Sequence, residues 1–151
     1  MSDMSNRVPK HFRLLFVFSI FIVLLSIPAL AQRQIYEPNR GGRERAALMD
    51  AIRKYDAKRD PRLSAEVFNV SALRVQGVWA YTMVEQQLRD GVVSYGVAHV
   101  FLRRVRGNWQ VEFSTFNDGQ KVGVDGLESL RKRYKTFPKQ LADFAMNYLA
   151  G

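Results

Sequence analysis

The chain has 151 residues, with 23 Lys and Arg against 14 Asp and Glu, a formal charge of +9 at neutral pH and no cysteine. That length supports one hydrophobic core and is too short for two. The lack of cysteine excludes disulfides, thiol catalysis and every cysteine metal site, so stability has to come from the core.

The chain opens on a polar head, Met1–Arg13, that carries Arg7, Lys10 and Arg13 against Asp3. An apolar run follows, Leu14–Ile27, then the helix breaker Pro28 and the small-residue exit Ala29-Leu30-Ala31. Basic head, short apolar core and A-x-A exit predict a secretory signal peptide over 1–31, cut between Ala31 and Gln32. The expected destination is the periplasm or the exterior. The alternative is an inner-membrane anchor over residues 14–31, since the uncharged stretch approaches the ~20 residues of a spanning helix. The apolar part stops at Ile27, inside the roughly 7–15 residues of a signal core. No cysteine follows it, which excludes a lipoprotein anchor, and the head has no twin arginine. About +7 of the charge then belongs to residues 32–151. In a bacterial envelope the anionic partners are lipid headgroups, lipopolysaccharide and cell-wall polymers. Nucleic acid is not an expected partner.

Residues 32–42 (QRQIYEPNRGG) form a polar leader with a proline and a glycine pair, expected to be a flexible tether. A single α+β domain is expected over residues 43–151. The spacing of Leu48, Ile52 and Tyr55, with Ala47 and Ala51 beside them, predicts a helix over Arg43–Ala57. Glu44, Arg45, Asp50, Arg53 and Lys54 fall on its wet side. Lys58-Arg59-Asp60-Pro61 ends it, because proline disfavours helical geometry in the residue before it.

From Val67 to Phe116 the pattern is that of strands. Arg74-Val75-Gln76-Gly77-Val78-Trp79 is echoed by Arg104-Val105-Arg106-Gly107-Asn108-Trp109, both R-V-x-G-x-W. A glycine in that place supplies the left-handed conformation of a tight hairpin. Two hairpins follow, 67–74 with 78–86 and 94–105 with 109–116, joined by a turn at Asp90-Gly91. The expected sheet is a four-stranded antiparallel meander. Side chains alternate along a strand. A three-residue loop at Gly107 would put Trp109, Val111 and Phe113 on the same face as Trp79, Tyr81, Met83, Tyr95, Val97, His99 and Phe101. A two-residue loop would mix large residues with small, so the longer loop is preferred. Glu112 then falls on the opposite, smaller face. That face is still mostly apolar on the third strand, so both faces are expected to be covered in the middle.

The tail is predicted helical. Asp125-Gly126-Leu127-Glu128 has the form of a capping box. Leu127, Leu130 and Tyr134 make a short stripe, Pro138 suits a first helical turn, and Leu141, Phe144, Ala145, Tyr148 and Leu149 repeat at helical spacing.

A helix, four curved antiparallel strands and a helical closure resemble the cystatin-like and nuclear-transport-factor-2-like α+β architecture. The segment Gly107-Asn108-Trp109-Gln110-Val111-Glu112-Phe113 is similar to the last hairpin common in that group. The order of helix, R-V-Q-G-x-W hairpin and R-G-x-W-x-V strand also resembles small exported bacterial proteins with no assigned activity. The resemblance covers roughly Arg43–Phe137. It implies isomerases, dehydratases and non-enzymatic binders alike, so the fold alone does not choose among them. Isomerase-type members use an Asp or His base in a deep pocket with Tyr donors.

His99 is the one histidine after the signal segment, mid-strand on the aromatic face. As a general base it needs a pocket and a carboxylate within reach. Glu112, if buried, would have a raised pKa and could act as a base. Tyr81 and Tyr95 are the candidate donors. A packed histidine and a paired glutamate are the structural alternatives. No metal or other cofactor is expected, because the residues show no ligand spacing, and no G-x-S-x-G elbow is present. Trp79 and Trp109 are expected as core anchors. Arg103, Arg104 and Arg106 with Arg131, Lys132, Arg133, Lys135 and Lys139 offer a basic interaction surface. The expected function is a non-catalytic exported binding module for a protein, an anionic envelope polymer or a small apolar molecule, with a sheet-face homodimer as a further option. The alternative is a small isomerase- or dehydratase-type pocket enzyme using His99 or Glu112 as base.

Overall fold

The computed structural model describes residues 34–58, 60–61, 67–87, 93–115 and 124–149, with backbone alone for 93–95 and 124. The signal segment with Ala29, Ala31 and Gln32, the Asp90-Gly91 turn and the Tyr95 side chain lie outside the described residues. The chain divides into units 1–34 and 35–151, and the second carries every element that follows.

The elements in order are α1 (Arg43–Ala57), β1 (Val67–Gln76), β2 (Trp79–Gln87), β3 (Val93–Val105), β4 (Asn108–Ser114), α2 (Val124–Arg133) and α3 (Lys139–Leu149). This is the α+β class expected, with a single antiparallel sheet in the order β1-β2-β3-β4. Both faces of the sheet are covered. On one, Leu48, Met49, Ala51 and Ile52 of α1 pack on Leu73, Val75, Ala80, Val84, Val100, Leu102 and Trp109. On the other, Leu127 and Leu130 of α2 and Leu141, Ala142 and Ala145 of α3 pack on Ala72, Trp79, Tyr81 and Phe101.

The expected distribution of aromatic residues needs correction. The second hairpin has a two-residue loop, because Val105 pairs with Asn108 and Arg104 with Trp109. Arg106 and Gly107 both take positive φ, 50° and 85°, the pattern of a type I′ turn, whose twist matches that of the strands. In the first hairpin Gln76 pairs with Trp79, and only Gly77 has positive φ, at 62°. The same R-V-x-G-x-W string therefore closes its loop one residue earlier in the second copy, at Asn108, than in the first, at Trp79. Trp79 is the first residue after its loop and Trp109 the second, and a shift of one residue exchanges faces. Trp109 and Val111 accordingly lie under α1, away from Trp79. A bulge then restores the parity. Leu102 pairs with Val111 but Phe101 with Phe113, which leaves Glu112 as the extra residue. Phe113 returns to the Trp79 face, and Glu112 comes with it rather than to the smaller face.

Two further expectations change. The leader is docked from Ile35 onward. Tyr36 and Val75 exchange main-chain bonds of 2.9 and 2.8 Å, the Tyr36 hydroxyl donates to Glu44 at 2.8 Å, and Pro38 is buried. Asp125 sits inside α2 rather than at its cap, since the helix starts at Val124. Pro138 stands one residue before α3, and its carbonyl accepts from Ala142 at 3.1 Å. The first-turn amide of Leu141 is capped from the sheet, by Gln76 Oε1 at 3.1 Å.

Candidate functional site

Strand alternation and the bulge sort the residues of interest into separate groups. On the α2/α3 face, β2 and β3 set Tyr81 beside His99, with 2.8 Å between the Tyr81 hydroxyl and His99 Nδ1. The two rings are stacked, with centroids 6.1 Å apart. The His99 main-chain N–H donates to Thr115 Oγ1 at 3.0 Å. Tyr81 is fully buried, and burial pushes its phenol up, with the nearby Tyr148 adding to the effect. Burial lowers the His99 pKa. The pair at neutral pH is a neutral imidazole and a protonated phenol. When the ring proton is on Nε2, the hydroxyl donates to Nδ1.

Glu112 belongs to a second group, and the bulge is the reason. Its carboxylate accepts from Arg103 Nε at 2.7 Å and from the Tyr134 hydroxyl at 2.6 Å. Burial by itself would raise its pKa. The hydrogen bonds from Tyr134 and Arg103, and the charges of Arg103 and Arg133, outweigh burial and hold the carboxyl below its ordinary range. This reverses the raised pKa expected for a buried Glu112. A carboxylate held ionised by two donors is a weak base and a good anchor, here for the end of α2. Arg103 lies 4.6 Å from the Tyr134 ring centre and 5.8 Å from that of Trp79. His99 and Glu112 are thus engaged with different partners.

Arg131, Lys132 and Arg133 are exposed in the last turn of α2, where cations complement the helix dipole. Lys135 is exposed in the following turn, and Lys139 pairs with Asp143 at 2.9 Å in the first turn of α3. The adjacent Arg104 points to the other face. It lies 4.4 Å from the ring centre of Trp109 and pairs with Glu44 of α1.

A concave basic site that sequence reasoning missed lies between α1 and β1. This groove, of about 540 Å³, is lined by Arg40, Arg45 and Arg53, with Met49 and Phe68 as its apolar part. Arg53 stacks at 5.3 Å on Phe68 and pairs with Asp50 at 2.8 Å. Arg45 Nη1 faces Glu37 at 3.5 Å, too long for a good hydrogen bond, and this buried nitrogen makes none. Arg40 is exposed and has no carboxylate partner among the described residues. The signal was available in the spacing of residues 45, 49 and 53, which places them on one helix face. It was hidden because Arg45 and Arg53 had been assigned to solvent, and their neighbour Phe68 is remote in sequence.

Comparison with family models, curated proteins and solved structures finds no match to this chain. Among the described residues, no helix is long and apolar enough to cross a membrane.

Proposed function

We propose that the protein is an exported, non-catalytic binding module of cystatin-like or nuclear-transport-factor-2-like architecture, which takes up an anionic envelope component in the groove between α1 and β1. The observation that carries this reading is the groove's make-up: three guanidinium groups, an aromatic floor and no lining carboxylate among the described residues. Guanidinium forks suit phosphate and carboxylate oxygens, and the buried Arg45 Nη1 has a hydrogen bond still to give. Export rests on the basic head, apolar run and A-x-A exit of residues 1–31. The ligand chemistry is a phosphate or carboxylate group on a headgroup or an envelope polymer. The protein should bind vesicles containing phosphatidylglycerol and ignore pure phosphatidylcholine. Arg40→Ala should weaken that binding about fivefold, since each basic residue at an anionic surface contributes about 1 kcal/mol. Equal binding to both vesicles contradicts the reading.

A second reading, an isomerase- or dehydratase-type pocket enzyme, draws on the 2.8 Å contact of Tyr81 with His99. It requires His99→Ala to abolish turnover of a bound ligand while leaving the melting temperature in place. A loss of stability alone counts against it.

A further inference from the structure

The two edges of the sheet are treated differently. The β1 edge is closed at Val75 by the chain's own Tyr36. Beyond β4 no strand follows among the described residues. The register shows which main-chain groups that open edge presents. In an antiparallel ladder, facing residues alternate between pairs that exchange both hydrogen bonds and pairs that exchange none. Arg104 sends its N–H away from β4, to the Val78 carbonyl at 2.7 Å. The Arg104/Trp109 pair is therefore of the second kind, and the N–H and C=O of Trp109 point outward from the sheet. Val111, opposite Leu102, repeats that orientation two residues on. The side chains of Trp109 and Val111 turn under α1. There they line a groove of about 600 Å³ together with Tyr55, Lys54 and Lys58. Neither lysine has a carboxylate partner, and no acid lines the groove, among the described residues.

We infer that this edge and groove take up an extended acidic segment of a partner protein as a fifth strand. The outward N–H and C=O of Trp109 and Val111 call for a peptide, because a polyanion without amides would satisfy the lysines and leave the edge bare. In strand addition the main chain supplies affinity and alternate side chains supply selectivity. Here one side-chain row of the segment meets Tyr55 and Trp109, and its carboxylates meet Lys54 and Lys58. A second copy of this chain fits less well, since it brings the same lysines to the same rim and like charges repel. The bulge at Glu112 ends the regular edge and keeps the docked stretch short. This surface joins the C-terminal half of α1 to β4, so the inference stands apart from the arginine groove at the other end of that helix.

The test selects phage-displayed random dodecapeptides on the purified protein, then follows amide hydrogen exchange with a synthetic copy of the winning peptide. The expected winners are extended sequences that carry Asp or Glu and an aromatic or β-branched residue in one side-chain row, two residues apart. They should slow exchange at the Trp109 and Val111 amides about tenfold or more. Lys54→Glu combined with Lys58→Glu, both at exposed positions, should weaken binding about tenfold or more. Three results overturn the inference: no acidic extended sequences among the winners; binding that leaves both amides unprotected; or protection that grows with protein concentration and needs no peptide, which assigns the edge to a second copy.

Discussion

Arg103 and Arg104 are consecutive, yet they work on opposite sides of the sheet. Each lies against a tryptophan, and each pairs with a glutamate carried by another element. Alternation along β3 explains the separation, and alternation was legible in the sequence. Their partners were not. Glu112 reaches Arg103 only because a bulge turns it, and bulges leave no composition signature in a strand of mixed residues. Tyr134 lies 22 residues further on, and its hydroxyl reaches the carboxylate only once α2 has docked. Glu112→Gln keeps the shape and an acceptor but loses the charge. It should destabilise the protein by about 1 kcal/mol at neutral pH, the scale of a hydrogen bond to a charged group less what the amide retains. The folded pKa of Glu112 is depressed, so its contribution is complete above about 4.5 and is lost as pH falls through the lower folded value. Urea unfolding of both proteins should therefore differ near pH 7 and converge in strong acid.

At the scale of the element, α1 appears with the bounds its apolar spacing predicts, and the four strands follow in the predicted order. Periodicity sees these features because each is local. The faces of Trp109 and Val111 in β4 were misassigned, because they depend on whether two or three residues make the turn. The preference for gathering all large residues on one face overlooked what α1 needs beneath it. Two helical layers require two apolar faces, and placing one tryptophan on each meets that requirement. The second loop also carries a cost. Arg106 has a φ of 50°, a region that side chains other than Gly, Asn and Asp enter at some expense. Arg106→Asn creates the Asn-Gly pair favoured in type I′ turns. It should stabilise the fold by up to about 1 kcal/mol, or a few degrees in Tm for a domain of this size. A fall in Tm would contradict the turn assignment.

Across the described residues, apolar groups are enclosed on both sides of the sheet and the exposed parts carry charge. Helices occupy both faces of the sheet, and the Tyr81–His99 pair is tied into one of them. Burial depresses the His99 pKa, so the unfolded chain binds a proton more readily than the folded one. Stability is then complete above about 6.5 and falls as pH drops through the lower folded value. This decline starts at higher pH than that of Glu112. His99→Gln should flatten the profile below pH 6.5, read as Tm against pH, and leave the more acidic decline in place. The basic groove was hard to read because three separate segments build it. Its arginines come from the leader and α1 and its aromatic floor from β1, so it is assembled only when α1 packs on the sheet and the leader docks through Tyr36.

The proposal sets two roles apart, an arginine groove that binds an anion and a Tyr81–His99 pair that serves the fold. Amide chemical shifts recorded during a titration with glycerol phosphate, whose phosphate is shared by headgroups and envelope polymers, test it most directly. Shifts should be confined to the groove residues 40–42, 45, 46, 49, 53 and 68–70 and be abolished by high salt. Shifts centred on Tyr81 and His99, or none at low salt, would contradict it.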